Sequence, residues 1–107
     1  MADIIDLPDD FIGKDDQRRL ESFGGHLVSH GRSSRWRWNR ERGVDVAFEI
    51  FQGGPHEELL ASITRHREED VFYATDAAGR VLARGSLEHV MAVVDQAAAA
   101  RHGGLPA

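Results

Sequence analysis

The sequence contains no cysteine. That absence excludes disulfide bonds and thiolate zinc sites and fits a reducing compartment, so we expect a cytoplasmic protein. Long hydrophobic runs are also lacking, because the longest, residues 90–94, has five residues, against the roughly 20 that span a membrane. The acidic residues 1–11 lack the basic start and apolar stretch of a secretory signal. We therefore predict no membrane association.

The length allows one domain. A chain of 107 residues is the size of an ordinary single domain and buries about two thirds of its unfolded surface without a covalent or metal staple. Differences in composition along the chain divide it into three predicted segments. We expect an acidic, partly docked arm over residues 1–13, a single α+β domain over 14–102 and a flexible tail over 103–107.

Charge is divided into three segments. Residues 1–16 carry a net charge of −5, residues 17–43 carry +5 and residues 44–107 carry −5. Such a distribution concerns partners and solubility more than fold. Two interpretations stay open, since the basic segment can face a partner or can be neutralised by the acidic segments of the same chain.

The first predicted element is a short helix over residues 15–23, with Asp15 or Asp16 capping its first turn. We expect it to end at Gly24–Gly25, because glycine adopts the left-handed conformation that often follows a helix. Residues 26–30 then form a candidate strand.

Alternation of apolar and polar residues predicts five further strands between residues 34 and 84. Leu59, Ala61 and Ile63 fit either a strand or a helix, and we favour the strand because a strongly β-prone segment follows. Asp76 to Gly79 predicts a tight hairpin turn with glycine where a positive φ is needed. The predicted strands are 34–39, 44–51, 56–67, 71–75 and 80–84.

A second helix is predicted after Gly85, with Ser86 as its N-cap. An apolar stripe then recurs at helical spacing along Leu87, Val90, Met91, Val94 and Ala98. The predicted fold class is therefore α+β: a short N-terminal helix, a mainly antiparallel meander sheet of five to six strands, and a C-terminal helix packed on one face.

The segment 32–42 holds five arginines and two tryptophans, a composition that nucleic-acid-binding proteins use for phosphates and stacked bases. In a strand, however, alternation sends the tryptophans to one face and the intervening arginines to the other, which favours a tryptophan core and a solvated arginine face. We take as candidate binding residues Arg32, Arg35, Arg37, Arg40, Arg42, Trp36 and Trp38.

Six histidines suggest metal binding, but their spacing does not predict a site. His26 and His30 would lie ~13 Å apart in a strand, and only a helix would bring them together. Gly24–Gly25 and Gly31 argue against a helix there, so we predict neither a metal nor a cofactor.

No catalytic constellation is recognisable, and adjacent carboxylates such as Glu57 and Glu58 fit a charged surface better than an acid–base pair. The sequence thus favours a small non-catalytic interaction protein that binds a protein partner or self-associates through an exposed sheet face. The alternative is a nucleic-acid-binding module that uses the strand in segment 32–42. A third hypothesis is a hydrolase or isomerase with His66 or His89 as base, but nothing in the spacing of the residues selects it.

Overall fold

The computed structural model describes residues 12–40, 46–53, 56–65 and 71–103. Its five strands form one antiparallel sheet in chain order, and both helices pack on it or on each other. The predicted α+β fold with a meander sheet and a C-terminal helix is confirmed. The elements are α1 (Lys14–Ser29), β1 (Arg35–Asn39), β2 (Ala47–Gln52), β3 (Glu58–Arg65), β4 (Phe72–Thr75), β5 (Val81–Gly85) and α2 (Leu87–Gly103).

Several expectations fall outside the described residues. They are the first eleven residues of the acidic arm predicted over residues 1–13, the positions of Arg42 and His66, and the part of the predicted tail beyond Gly103.

Helix α1 is longer than predicted and continues through Gly24–Gly25. Leu20, Gly24 and Leu27 are buried at helical spacing along one side of it, so a single apolar face runs through the glycine pair. Glycine inside a helix costs about 1 kcal/mol, but at this point the helix comes close to the sheet. The predicted helix end and the predicted strand over residues 26–30 are both wrong, because tertiary packing overrides the local helix-ending tendency of glycine.

Helix α1 ends at Ser29 with His30 as its C-cap, and the next residue, Gly31, has a φ of +74°. The backbone N–H of Gly31 donates to the carbonyl of Val28 at 3.0 Å, and that of Arg32 donates to the carbonyl of Leu27 at 2.8 Å. These two bonds form a Schellman motif. At the other end Gly13 is the N-cap and offers no side-chain bond, so the predicted carboxylate cap is wrong and both aspartates lie in the first turn.

One face of the sheet forms the core together with both helices. Phe48, Ile50 and Ile63 are fully buried there, with Leu20 of α1 and Val90 of α2 in the same cluster. The register shifts by one residue between Ile50 and Phe51. Leu60 therefore joins the core and Leu59 is only half-buried, a β-bulge that interrupts the expected strict alternation.

The C-terminal half follows its local signals closely. Segment 56–67 contains strand β3, which confirms the prediction of a strand over that of a helix. The backbone N–H of His89 donates to Oγ of Ser86 at 3.2 Å, which is the predicted N-cap of α2. Gly79 has a φ of +85° in the predicted hairpin. Within the described residues, neither helix has the length and apolar character needed to cross a membrane.

Candidate interaction surface and histidine pair

The second face of the sheet carries no described helix, because α1 and α2 both pack on the core face. We call this second face the open face. Its width of five strands corresponds to about 20 Å. Strand pairing places on it Arg35, Arg37, Asn39, Ala47, Glu49, Phe51, Leu59, Ser62, Thr64, Tyr73, Thr75, Val81 and Arg84.

Two candidate arginines of β1 lie on the open face and are held by carboxylates. Nε of Arg35 donates to Oε1 of Glu57 at 2.9 Å, and Nε of Arg37 donates to Oε1 of Glu49 at 2.7 Å. Arg37 and Glu49 are also direct cross-strand partners. The guanidinium groups are therefore fixed in position and their charge is matched locally.

The contact with Arg35 also lowers the pKa of the Glu57 carboxyl. The hydrogen bond from Arg35, followed by one from the hydroxyl of Ser34 at 2.8 Å, holds the pKa of the Glu57 carboxyl below its ordinary value of 4.5. This carboxylate is therefore charged throughout the neutral range, and it balances Arg35 there.

Aromatic rings complete the open face. The guanidinium carbon of Arg35 lies 4.3 Å from the ring centroid of Phe51, and that of Arg37 lies 5.2 Å from it. At the other side of the sheet Nε of Arg84 donates to the hydroxyl of its cross-strand partner Tyr73 at 3.1 Å. The guanidinium carbon of Arg84 lies 5.6 Å from the ring centroid of Tyr73. The face thus presents arginine next to aromatic side chains at two separate places.

The two candidate tryptophans do not reach the open face. Trp36 and Trp38 contact Phe48 on the core face, with ring centroids 5.2 and 5.0 Å away. Nε1 of Trp38 donates to Oε2 of Glu21 in α1 at 2.8 Å. The arginines and tryptophans of β1 are therefore separated by the sheet.

The remaining candidate arginines are dispersed. Nη1 of Arg32 contacts Oδ1 of Asp95 in α2 at 2.7 Å, so Arg32 links the connection between α1 and β1 to α2. Arg40 lies 5.3 Å from the ring of Trp38, on the core side. The seven sequence-predicted residues therefore do not form one surface: Arg35 and Arg37 alone share the open face among those described.

A pair that sequence reasoning set aside is brought together on α1. His26 and His30 are one helical turn apart, both exposed, with ring centroids 4.0 Å from each other. Their spacing of four residues was visible in the sequence. Because the helix was wrongly predicted to end at Gly24–Gly25, the two histidines were not expected to be neighbours on a helix. Over the described residues, no group of three or more histidine, aspartate or glutamate side chains is arranged to hold a metal.

Comparison of the chain with protein families, curated proteins and solved structures finds no match.

Proposed function

We propose that this protein is a non-catalytic interaction module whose open face binds a protein partner or a second copy of the chain. The observation that carries the proposal is a five-stranded sheet face, uncovered by any described helix, on which arginines stack against Phe51 and Tyr73. The absence of cysteine supports a cytoplasmic setting.

The chemistry of the open face supports a protein partner. Arginine, tyrosine and phenylalanine are enriched at protein interfaces, and arginine and tyrosine are frequent among the residues that dominate binding energy. The ion pairs Arg35–Glu57 and Arg37–Glu49 hold the long side chains in place before binding. Ordering them in advance lowers the entropy lost on association.

The nucleic-acid alternative has less support from the same geometry. The two tryptophans that suggested a stacking platform in the sequence are on the other side of the sheet, because Trp36 and Trp38 pack under α1. Arg35 and Arg37 already face carboxylates, which compete with phosphate for the guanidinium groups.

Site-specific photocrosslinking tests the proposal. A photoreactive phenylalanine analogue is placed at Phe51 or at Tyr73, and at Ala92 on the exposed side of α2 as the matched control. Irradiation in cells of the source organism should give a discrete adduct from the two open-face positions and none from the control position.

The mass of the adduct distinguishes the two occupants. An adduct of twice the chain mass identifies a second copy, and its amount should rise with concentration of the purified protein. An adduct of another mass identifies a protein partner. Equal crosslinking from all three positions, or none from Phe51 and Tyr73, contradicts the proposal.

A further inference from the structure

We propose that His26 and His30 form a two-imidazole binding site for a divalent transition-metal ion, with Cu²⁺ bound most tightly and Zn²⁺ and Ni²⁺ more weakly. The site is formed by the last turn of α1 and its C-cap His30, and it does not depend on the function proposed for the open face.

Helical spacing supplies the first requirement of a chelate. Side chains four residues apart on a helix are neighbours on its surface, and two histidines at this spacing are the metal-binding unit of helical zinc motifs. The two rings here have centroids 4.0 Å apart. Both side chains are exposed, so an ion reaches them from solvent without any rearrangement of the core.

Hydrogen bonding of His30 supplies the second requirement, a free lone pair. Nδ1 of His30 lies 3.0 Å from the backbone carbonyl oxygen of His26. A carbonyl oxygen only accepts, so this hydrogen bond places the hydrogen of the neutral ring on Nδ1 and leaves the lone pair on Nε2. The hydroxyl of Ser29, 3.4 Å from the same nitrogen, can accept from it as well. A ring N–H donated to a backbone carbonyl is the usual support of a metal-ligating histidine.

Neighbouring charge does not oppose a cation. Arg18 and Arg19 line a groove beside His26, but each is matched by an acidic side chain. Arg19 pairs with Glu88 of α2 and lies 3.7 Å from Asp16, and Arg18 lies 3.9 Å from Asp15. The two described arginines nearest to His26 therefore each have a carboxylate partner.

Ligand chemistry selects the metal. Imidazole suits copper, zinc and nickel, whereas Mg²⁺ and Ca²⁺ require oxygen ligands. For nitrogen sites the order of affinity places Cu²⁺ above Ni²⁺ and Zn²⁺. Because the described residues supply two imidazoles and no third protein ligand at the pair, water completes the coordination shell, and the ion exchanges readily.

Titration of the untagged full chain with metal at about pH 7.5 tests the site, because metal binding competes with protons for the ligand nitrogens and is favoured away from acid. Calorimetry with Zn²⁺ and electron paramagnetic resonance with Cu²⁺ should both report one ion per chain, with two nitrogens coupled to the copper. His26→Ala and His30→Ala should each weaken binding by about tenfold or more. The matched control His89→Ala, which removes an exposed histidine of α2, should leave the affinity unchanged.

A second variant separates geometry from histidine number. Val28 is 39% exposed, and Val28→His combined with His30→Ala keeps two histidines on α1 but points them to different sides of the helix. This double variant should bind no better than His30→Ala. Binding equal to wild type in the double variant overturns the proposal. Undiminished binding after removal of His26 or His30, or absence of one-to-one binding by the wild-type chain, does so too.

Discussion

Gly24 and Gly25 are adjacent in α1 and experience opposite surroundings. A Cβ on Gly24 would lie 2.6 Å from Cδ1 of Trp36 and 2.7 Å from Cζ of Phe48, whereas a Cβ on Gly25 meets nothing within 4 Å. Neither glycine has a positive φ. Gly24 is therefore needed for the close approach of α1 to the sheet, and Gly25 is not.

Alanine substitutions at the two positions should have opposite effects. Gly24→Ala forces the aromatic rings to move and should lower the free energy of unfolding by about 1–3 kcal/mol, despite the better helix propensity of alanine. Gly25→Ala should raise that free energy by up to about 1 kcal/mol. Urea denaturation followed by circular dichroism measures both changes.

Each variant is the control for the other, since both make the same change in the same helix. Equal stabilisation by the two substitutions would contradict the close approach of α1 to Trp36 and Phe48 at Gly24.

The β4–β5 hairpin is held by one carboxylate. Oδ1 of Asp76 accepts the backbone N–H groups of Ala78 at 2.9 Å and Arg80 at 3.0 Å, and Oδ2 accepts Nε of Arg80 at 3.0 Å. These bonds, the backbone N–H of Arg80 first, hold the pKa of Asp76 below its ordinary value of 3.8. The turn is therefore coupled to the ionisation of a single side chain.

That pKa shift predicts how stability changes with pH. Because the folded-state pKa is below the unfolded one, the charged carboxylate stabilises the fold above pH 3.8, and this contribution is lost as pH falls through the folded-state pKa. Asp76→Asn keeps the shape of the side chain but removes its charge. The variant should be less stable than wild type at pH 6, with the two curves converging in strong acid.

Thermal unfolding at a series of pH values from neutral to strongly acidic checks this expectation. Glu57 and Glu88 also have lowered pKa values, owing mainly to Arg35 and Arg19, but they are present in both proteins, so the difference isolates Asp76. A difference between the curves that does not vary with pH would contradict a role for its charge.

At the scale of the whole molecule, the described arginines of the basic segment 17–43 are distributed between the helix layer and the open face of the sheet. Arg32 contacts Asp95 in the helix layer, while Arg35 and Arg37 contact Glu57 and Glu49 on or beside the open face. Positive charge that looks continuous in sequence is therefore spread over two sides of the protein and matched on each. A continuous basic surface for a polyanion does not result from the described residues.

We accordingly expect a flat titration when short labelled single- and double-stranded oligonucleotides are followed by fluorescence anisotropy at low salt. Electrostatic binding of nucleic acid is strongest there, because few counterions compete. A salt-sensitive rise that disappears in Arg35→Ala and Arg37→Ala would instead promote the nucleic-acid alternative. Replacement of Arg80, an exposed arginine of the hairpin, serves as the control for nonspecific loss of charge.

Much of the fold was predictable because its signals are local. Alternation over 34–39 and 71–75, the Asp76–Gly79 turn and the Ser86 cap each depend on residues a few positions apart, and each is found as expected. The bulge in β3 was not predictable, because the shift that buries Leu60 is set by pairing with β2.

The placement of the candidate residues followed from the sequence in part. The sequence by itself determined that Arg35 and Arg37 face away from Trp36 and Trp38, since the period of a strand is two residues. Tertiary structure alone decided that the tryptophans lie under a helix and that Glu57 and Glu49 match the arginines. It also decided that α1 continues past Gly24, because contact with two aromatic rings compensates for a poor helix residue, and this continuation places His26 beside His30.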